Sequence, residues 1–321
     1  MTPAITAPAP ATSTEATADT GIDVVTGAFS YSGSVIAQLL LDKGRSVRTL
    51  TGHPERAQGD SRGIELRPMS FDDPLELEAS LGGATTLYNT YWVRFPHGRT
   101  NHAIAVANSR MLFQTARRAG VQRIVHVSIT HPRIDSPYPY FAGKAQVERA
   151  LVETEIPYAI VRPAILFGGP GVLLNNIAWL LRHLPVFAVA GKGDYLIRPI
   201  YVGDLANLCV ELGSSRDEVI VDAVGPESLT FNELVTSIQT AVGTRSRIVH
   251  FPGEVVAMAA RVLGRILHDV LLSREELFAM MDGLADSPAA PIGETSVSEW
   301  IARHGDELGR RYANELDIHF R

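Results

Sequence analysis

The sequence has little cysteine, little lysine and no long uninterrupted apolar run. Cys209 is the only cysteine in 321 residues, which excludes an intrachain disulfide and fits a reducing compartment. The most apolar stretch, residues 172–190, contains Asn175, Arg182 and Pro185, which argues against a membrane span. A net charge of −6 and a pI near 5.9 give no electrostatic basis for binding nucleic acid or an anionic membrane. These absences indicate a cytoplasmic globular protein without nucleic-acid or membrane partners.

Residues 1–20 are rich in Ala, Thr and Pro and contain neither Lys nor Arg. They lack the basic and apolar regions of a secretory signal and the arginines of a mitochondrial presequence. We predict a disordered tail over these residues.

The first half of the chain alternates between strand-like and helix-like patterns, which is typical of a parallel sheet with crossover helices. The predicted fold class is α/β, with a Rossmann-type doubly wound parallel sheet and a smaller C-terminal substrate-binding lobe. The predicted strands lie near 22–26, 46–50, 64–67, 84–89, 123–128 and 157–162, and the helices near 33–43, 73–81, 100–119 and 139–154.

The pattern is less regular in the second half. We predict helices near 173–184, 230–242, 254–282 and 296–316 and strands near 194–200, 219–223 and 247–251, with Asp204 capping another helix. In the third of these helices, Val255, Ala259, Val262 and Ile266 form an apolar stripe that is predicted to face the core. The predicted domains are an NAD(P)-binding domain over 21–165 and a mixed α/β substrate lobe over 166–321.

A glycine-rich turn follows the first predicted strand. Gly27 permits a tight turn and Gly33 permits close approach of the next helix, the arrangement of a dinucleotide fingerprint. Ser30 stands where the fingerprint usually has its middle glycine. Its hydroxyl is a candidate hydrogen-bond donor to a phosphate group. The amides at the start of the helix are expected to face a pyrophosphate.

Tyr140 and Lys144 are four residues apart, so a helix places both side chains on one face. An ammonium near a phenol favours the phenolate and lowers the pKa of the phenol toward the range useful for acid–base catalysis. The residue type is notable, because only Lys43, Lys144 and Lys192 among 29 basic residues are lysines. The alternative is an ordinary i,i+4 side-chain contact on the solvent-exposed surface of a helix.

These motifs, in this order, resemble an extended or atypical short-chain dehydrogenase/reductase of the NAD(P)-binding, epimerase-like and NmrA-like kind. The resemblance runs from about Gly21 to the C-terminus. The segments that carry it are Thr26-Gly27-Ala-x-x-x-x-Gly33, Val125-His-Val-Ser128, Tyr140-x-x-x-Lys144, Val161-Arg-Pro163 and Tyr201-Val-Gly-Asp204-Leu-Ala206.

The resemblance implies that Tyr140 is the general acid/base and that Lys144 lowers its pKa and binds the nicotinamide ribose. A hydroxyl that orients the substrate is also implied, and Ser128 and Thr130 both remain candidates. The implied cofactor-binding residues are Gly27, Phe29, Ser30, Tyr31, Gly33, His53, Arg56, Phe71, Asn89, Lys144 and Pro163.

The choice of cofactor depends on the end of the second strand. No carboxylate stands there to bind the ribose 2′-hydroxyl of NAD, whereas His53 and Arg56 suit a 2′-phosphate. The sequence therefore favours NADP, with NAD as the alternative.

The loop after the fourth strand is rich in aromatic and basic residues. Trp92, Arg94 and His97 are candidate substrate residues, the last two as partners of an acidic group, and packing beneath a long loop is the alternative. Arg198 is a further substrate candidate, with a plain salt bridge as its alternative.

The leading hypothesis is an NAD(P)-dependent oxidoreductase or epimerase-like enzyme that moves hydride to or from a small carbonyl or alcohol. The alternative is a non-catalytic NAD(P)-binding redox sensor or assembly protein of the NmrA-like kind. No zinc spacing, P-loop or hydrolase triad order is visible, so no metal is expected. The expected partner is a small-molecule substrate, while a homodimer, the substrate's identity and the direction of the reaction stay open.

Overall fold

The computed structural model describes residues 21–52, 63–169 and 171–316. The predicted tail over 1–20 lies outside the described residues. The strands are β1 (Ile22–Thr26), β2 (Ser46–Thr51), β3 (Glu65–Pro68), β4 (Ala84–Asn89), β5 (Arg123–Val127), β6 (Tyr158–Pro163), β7 (Ile165–Phe167), β8 (Val186–Ala190), β9 (Leu196–Ile197), β10 (Pro199–Tyr201), β11 (Val219–Ala223), β12 (Leu229–Thr230) and β13 (Arg247–Phe251). The helices are α1 (Tyr31–Asp42), α2 (Pro74–Leu81), α3 (His102–Arg118), α4 (Pro139–Val152), α5 (Val172–His183), α6 (Val202–Ser214), α7 (Phe231–Val242), α8 (Gly253–Leu267), α9 (Arg274–Met281) and α10 (Val297–His304).

Seven parallel strands form the central sheet in the order β11-β6-β5-β4-β1-β2-β3. The predicted α/β class with a parallel Rossmann-type sheet is confirmed. The strand order reverses between β1 and β4, and ligands of such sheets bind at the carboxyl ends of the strands beside this switch point. The seventh strand, β11, comes from the second half of the chain and pairs with β6.

Helices cover both faces of the sheet. On one face, Leu40 of α1 and Leu205 of α6 share a buried cluster. On the other, Phe113 of α3 and Leu151 of α4 do the same. Because both faces are covered, every residue of β5 is buried.

The remaining elements pack around a second core made by α5, α7 and α10 with short strand pairs. β8 pairs with β13, β7 with β10 and β9 with β12. Thr230 caps α7 through a capping box with Glu233, which confirms the predicted capped helix. In the described part of the chain, no helix is both long and apolar enough to span a bilayer.

The single helix predicted over 254–282 is wrong, because two helices occupy this segment. His268 ends α8 with φ of 53° in the left-handed region, and Ser273 begins α9 with a capping box to Glu276. The side chain of Asp269, between them, accepts hydrogen bonds from the amides of Glu315 and Leu316. These contacts with the end of the chain fix the break.

The predicted burial of the α8 stripe is also wrong. Val255, Val262 and Ile266 are 48%, 52% and 67% exposed, and Ala259 is exposed as well. The buried face of α8 instead carries Val256, Ala260 and Gly264.

Three smaller predictions need correction. Asp204 lies in the first turn of α6, after the N-cap Tyr201, and its carboxylate accepts from the amides of Glu294 and Thr295 instead of capping the helix. The strand predicted over 194–200 is divided into β9 and β10, and the last predicted helix ends at His304.

Candidate active site

The glycine-rich turn between β1 and α1 requires glycine at two positions. Gly27 has φ of 67°, and a Cβ on Gly33 would lie 2.2 Å from the Gly27 carbonyl oxygen. Both the amide and the hydroxyl of Ser30 donate to that same oxygen, at 2.8 and 2.7 Å. The Ser30 hydroxyl therefore bonds within the turn, and its contact with phosphate stays a prediction.

The start of α1 suits a phosphate group. Ser30 stands at the N-cap, but its side chain does not accept from the first-turn amides, and no acidic side chain lies in the first turn. Amides at such a helix start, together with the helix dipole, bind anions. Phe29 is exposed on the turn, and the Tyr31 hydroxyl holds the turn to the Gly168 carbonyl at 2.8 Å. These residues fit the pyrophosphate of a dinucleotide.

Other predicted cofactor residues have structural contacts at the same edge of the sheet. The side chain of Asn89 bonds with Thr26 and His126, and the ring of Phe71 lies 5.2 Å from that of Tyr91. The Pro163 carbonyl accepts from the amide of Thr130. His53 and Arg56, the predicted 2′-phosphate residues, lie outside the described residues.

Lys144 is buried in α4 beneath an indole ring. Its ammonium donates to the Val127 carbonyl at 2.8 Å and lies 4.9 Å from the centre of the Trp92 ring. Burial lowers the pKa of Lys144 to about 7, while Glu148 one turn along the helix opposes the shift. Glu148 is itself bound by the Arg162 guanidinium through both carboxylate oxygens.

Tyr140 is half-buried, with the rings of Trp92 and His102 each 5.7 Å away, edge to face. Burial raises the pKa of Tyr140, and Glu276 raises it further while Arg94 opposes. The predicted lowering of this pKa by Lys144 is therefore wrong. Helical spacing does place both residues on one face, but the ring of Trp92 contacts both side chains and the ammonium donates to backbone.

The structure separates the two candidate hydroxyls. Thr130 donates its hydroxyl to the Leu284 carbonyl at 2.9 Å and is fully buried. Ser128 is also buried at the end of β5, but its hydroxyl has no hydrogen-bond partner among the described residues. Ser128 is thus the candidate hydroxyl without a partner among the described residues, and its oxygen is buried.

Two of the three basic residues proposed for the substrate, Arg94 and Arg198, bond to other parts of the protein. Arg94 forms ion pairs with Glu276 at 2.6 Å and with Glu315, so two carboxylates of the protein already balance its positive charge. His97 is exposed on the loop beyond it. Arg198 donates to the carbonyls of Gly225, Ser287 and Ala289 at 2.8 to 3.0 Å, which makes it a brace between loops.

A cavity of about 480 Å³ lies between the glycine-rich turn and Tyr140. Phe29, Ser30 and Tyr31 of the glycine-rich turn line it, and so does Tyr140. Sequence reasoning missed the contribution of α9, which places Glu276 and other side chains on the wall. The Ser-x-x-Glu pattern that begins α9 was the available signal for a helix start at this point.

The match to a family model agrees with this geometry. Residues 27–176 match the family described as NAD(P)H-binding. These residues form an NAD(P)H-binding domain. The match begins at the glycine-rich turn and includes α4 with Tyr140 and Lys144, and it supports the resemblance to NAD(P)-binding short-chain dehydrogenases/reductases.

Two curated proteins and one solved structure are similar to this chain over most of its length. NADH dehydrogenase (ubiquinone) 1 alpha subcomplex subunit 9 of Arabidopsis thaliana is 27% identical over 74% of this chain and 62% of its own length. The 4-hydroxy-2-methyl-3-oxo-4-farnesyl-3,4-dihydroquinoline-1-oxide ketoreductase of Stigmatella aurantiaca is 24% identical over 77% of this chain and 81% of its own. The NADPH-dependent quinone oxidoreductase of Escherichia coli, solved with NADPH, has a TM-score of 0.71 and 20% identity, covering 88% of this chain and 99% of that one. The chain thus spans less than two thirds of the Arabidopsis protein, and the structural likeness concerns the fold.

Proposed function

We propose that the chain is an NADPH-dependent reductase of a carbonyl compound, with Tyr140 as proton donor and residues 166–321 supplying the substrate lobe. The observation that supports this proposal is the cavity shared by the glycine-rich turn and Tyr140. Proton donor and cofactor turn thereby face one space large enough for a small molecule. The Stigmatella aurantiaca relative is named as a ketoreductase, and the solved Escherichia coli structure is named as an NADPH-dependent quinone oxidoreductase.

The chemistry of the residues suits reduction. When bound, a reduced nicotinamide supplies a hydride to the carbonyl carbon. The phenol of Tyr140 is protonated at neutral pH, as a tyrosine ordinarily is, so Tyr140 can donate a proton to the carbonyl oxygen. We assign the orientation of that oxygen to Ser128, whose buried hydroxyl has no partner among the described residues. Lys144, on the same helix as Tyr140, would hold the ribose hydroxyls.

The preference for NADPH rests on the sequence, where His53 and Arg56 follow the second strand and no carboxylate stands at the end of that strand. We place the activity in the cytoplasm on the sequence grounds given above. Comparing NADPH with NADH in one titration series tests the cofactor preference directly.

Replacing Tyr140 by phenylalanine tests the proton donor. With a ketone found by screening, Tyr140→Phe should lower kcat by at least about 100-fold, the usual contribution of general acid–base catalysis, while leaving the Kd for NADPH unchanged. Tyr138→Phe is the matched control, because Tyr138 lines the same cavity but its hydroxyl donates to Asp282. A kcat for Tyr140→Phe equal to that of the control would refute the assignment.

A non-catalytic NAD(P)H-binding sensor or assembly protein is the second candidate. It is favoured by the Arabidopsis relative, which is named as a subunit of a larger complex, and by the indole of Trp92 lying over Lys144. Tight NADPH binding without reduction of any carbonyl compound would favour this function over the reductase.

A further inference from the structure

A second cavity of about 250 Å³ adjoins the first. Arg94, Val172, Leu173, Leu272 and Met280 line both cavities, so the two spaces meet at these side chains. No residue of the glycine-rich turn lines the second cavity. Tyr140 does not line it either, so the second cavity is distinct from the space between the turn and Tyr140.

The walls of the second cavity are apolar. Ile177 and Leu180 of α5, Phe187 of β8, and Val256 and Ala260 of α8 contribute to them. The inner face of α8, whose outer face is exposed to solvent, thus forms one wall.

Three of the described lining residues carry polar side chains, and two of these are already engaged. Arg94 is held by its two carboxylates, and the side chain of Asn176 bonds with the backbone of Ala313 at 2.9 and 3.0 Å. Only the Tyr195 hydroxyl lacks a partner. A space with such walls favours a hydrocarbon group over a charged or strongly hydrated one.

We propose that the second cavity binds the apolar tail of the substrate. The substrate class is then an amphiphile, with its carbonyl head beside Tyr140 in the first cavity and its hydrocarbon tail in the second. The polar cluster of Arg94, Glu276 and Glu315 lies on the head side, since both carboxylates line the first cavity. Leu272 and Met280 form an apolar partition, and the flexible thioether of methionine adapts readily to a chain passing beside it. The position of the head rests on the proposed function, whereas the tail site rests on the second cavity alone.

A series of methyl ketones from 2-butanone to 2-undecanone tests the proposal, with direct binding by calorimetry and NADPH oxidation measured in parallel. Affinity should rise about fourfold for each added methylene, the value for transfer of one such group from water, and level off when the cavity is full. A flat series would overturn the proposal.

Ala260 lines the second cavity and not the first, so Ala260→Phe places a ring in the second cavity. It should weaken 2-undecanone binding by at least about 15-fold, which corresponds to the loss of two methylenes, and leave 2-butanone and NADPH unaffected. Val262→Phe is the matched control, because it adds the same ring to the exposed face of α8. Equal losses in both variants, or none in Ala260→Phe, would contradict the tail site.

Leu180→Ala gives an independent measurement should Ala260→Phe not fold. By enlarging the cavity it should move the levelling-off to longer ketones, and an unchanged end point would count against the proposal. Reduction of every ketone at the same affinity would leave the reductase standing and remove the tail site. Chain-length-dependent binding without any reduction would keep the tail site and remove the reductase.

Discussion

Replacing Lys144 by methionine should change how the stability of the protein depends on pH. Lys144 is 3% exposed, and its pKa falls from 10.5 to about 7 because burial penalises the ammonium. Methionine has a similar unbranched shape and packs against aromatic rings, so the variant keeps most contacts with Trp92 while removing the titrating group.

The sign follows from proton binding in the two states. Because the pKa of Lys144 is lower in the folded chain, the unfolded chain holds more protons between pH 7 and pH 10.5, so stability rises with pH in this window. The slope approaches about 1.4 kcal/mol per pH unit, and half-titration at pH 7 reduces the total gain between pH 7 and pH 9 to about 2 kcal/mol. Lys144→Met should lack this gain and should therefore be most stabilised, relative to wild type, at the lower pH.

Urea unfolding at pH 7, 8 and 9 provides the measurement. The difference in free energy of unfolding between wild type and variant cancels the other titrating groups and isolates Lys144. Lys192→Met is the control, because the Lys192 side chain is exposed. A difference curve for Lys144→Met that does not differ from that of the control would show that the ammonium is not penalised by burial, and the reasoning would be refuted.

Two further predictions follow from the turn and from α8. Gly33→Val should abolish NADPH binding in a fluorescence titration and also lower Tm, because its Cβ would overlap the Gly27 carbonyl oxygen; normal NADPH affinity would contradict the assignment of the turn. Val262→Asp should change the free energy of unfolding by less than about 0.5 kcal/mol, as expected for an exposed site, whereas Val256→Asp on the same helix should destabilise by at least about 2 kcal/mol. Equal effects in chemical denaturation would contradict the assignment of the α8 faces.

The sequence by itself determined the parallel sheet and the cofactor turn. Strands β1 to β6 were predicted within a few residues, since their apolar runs and intervening helical patterns are local signals. The turn was predictable because the conformation of Gly27 and the crowding at Gly33 exclude a side chain whatever surrounds them. Tyr140 and Lys144 share a helix face for the same local reason.

Tertiary structure decided what surrounds these residues. Lys144 was predicted to lower the pKa of Tyr140. Instead, the ring of Trp92, from a loop distant in sequence, packs against the side chains of both residues. Helical periodicity found an apolar stripe on α8 without deciding which face is buried. The small residues Ala260 and Gly264 face inward, where a Cβ on Gly264 would lie 2.6 Å from the Asp269 carbonyl oxygen, so the larger side chains remain outside. Burial depends on which elements approach each other, and that is a property of the packed chain rather than of any one segment.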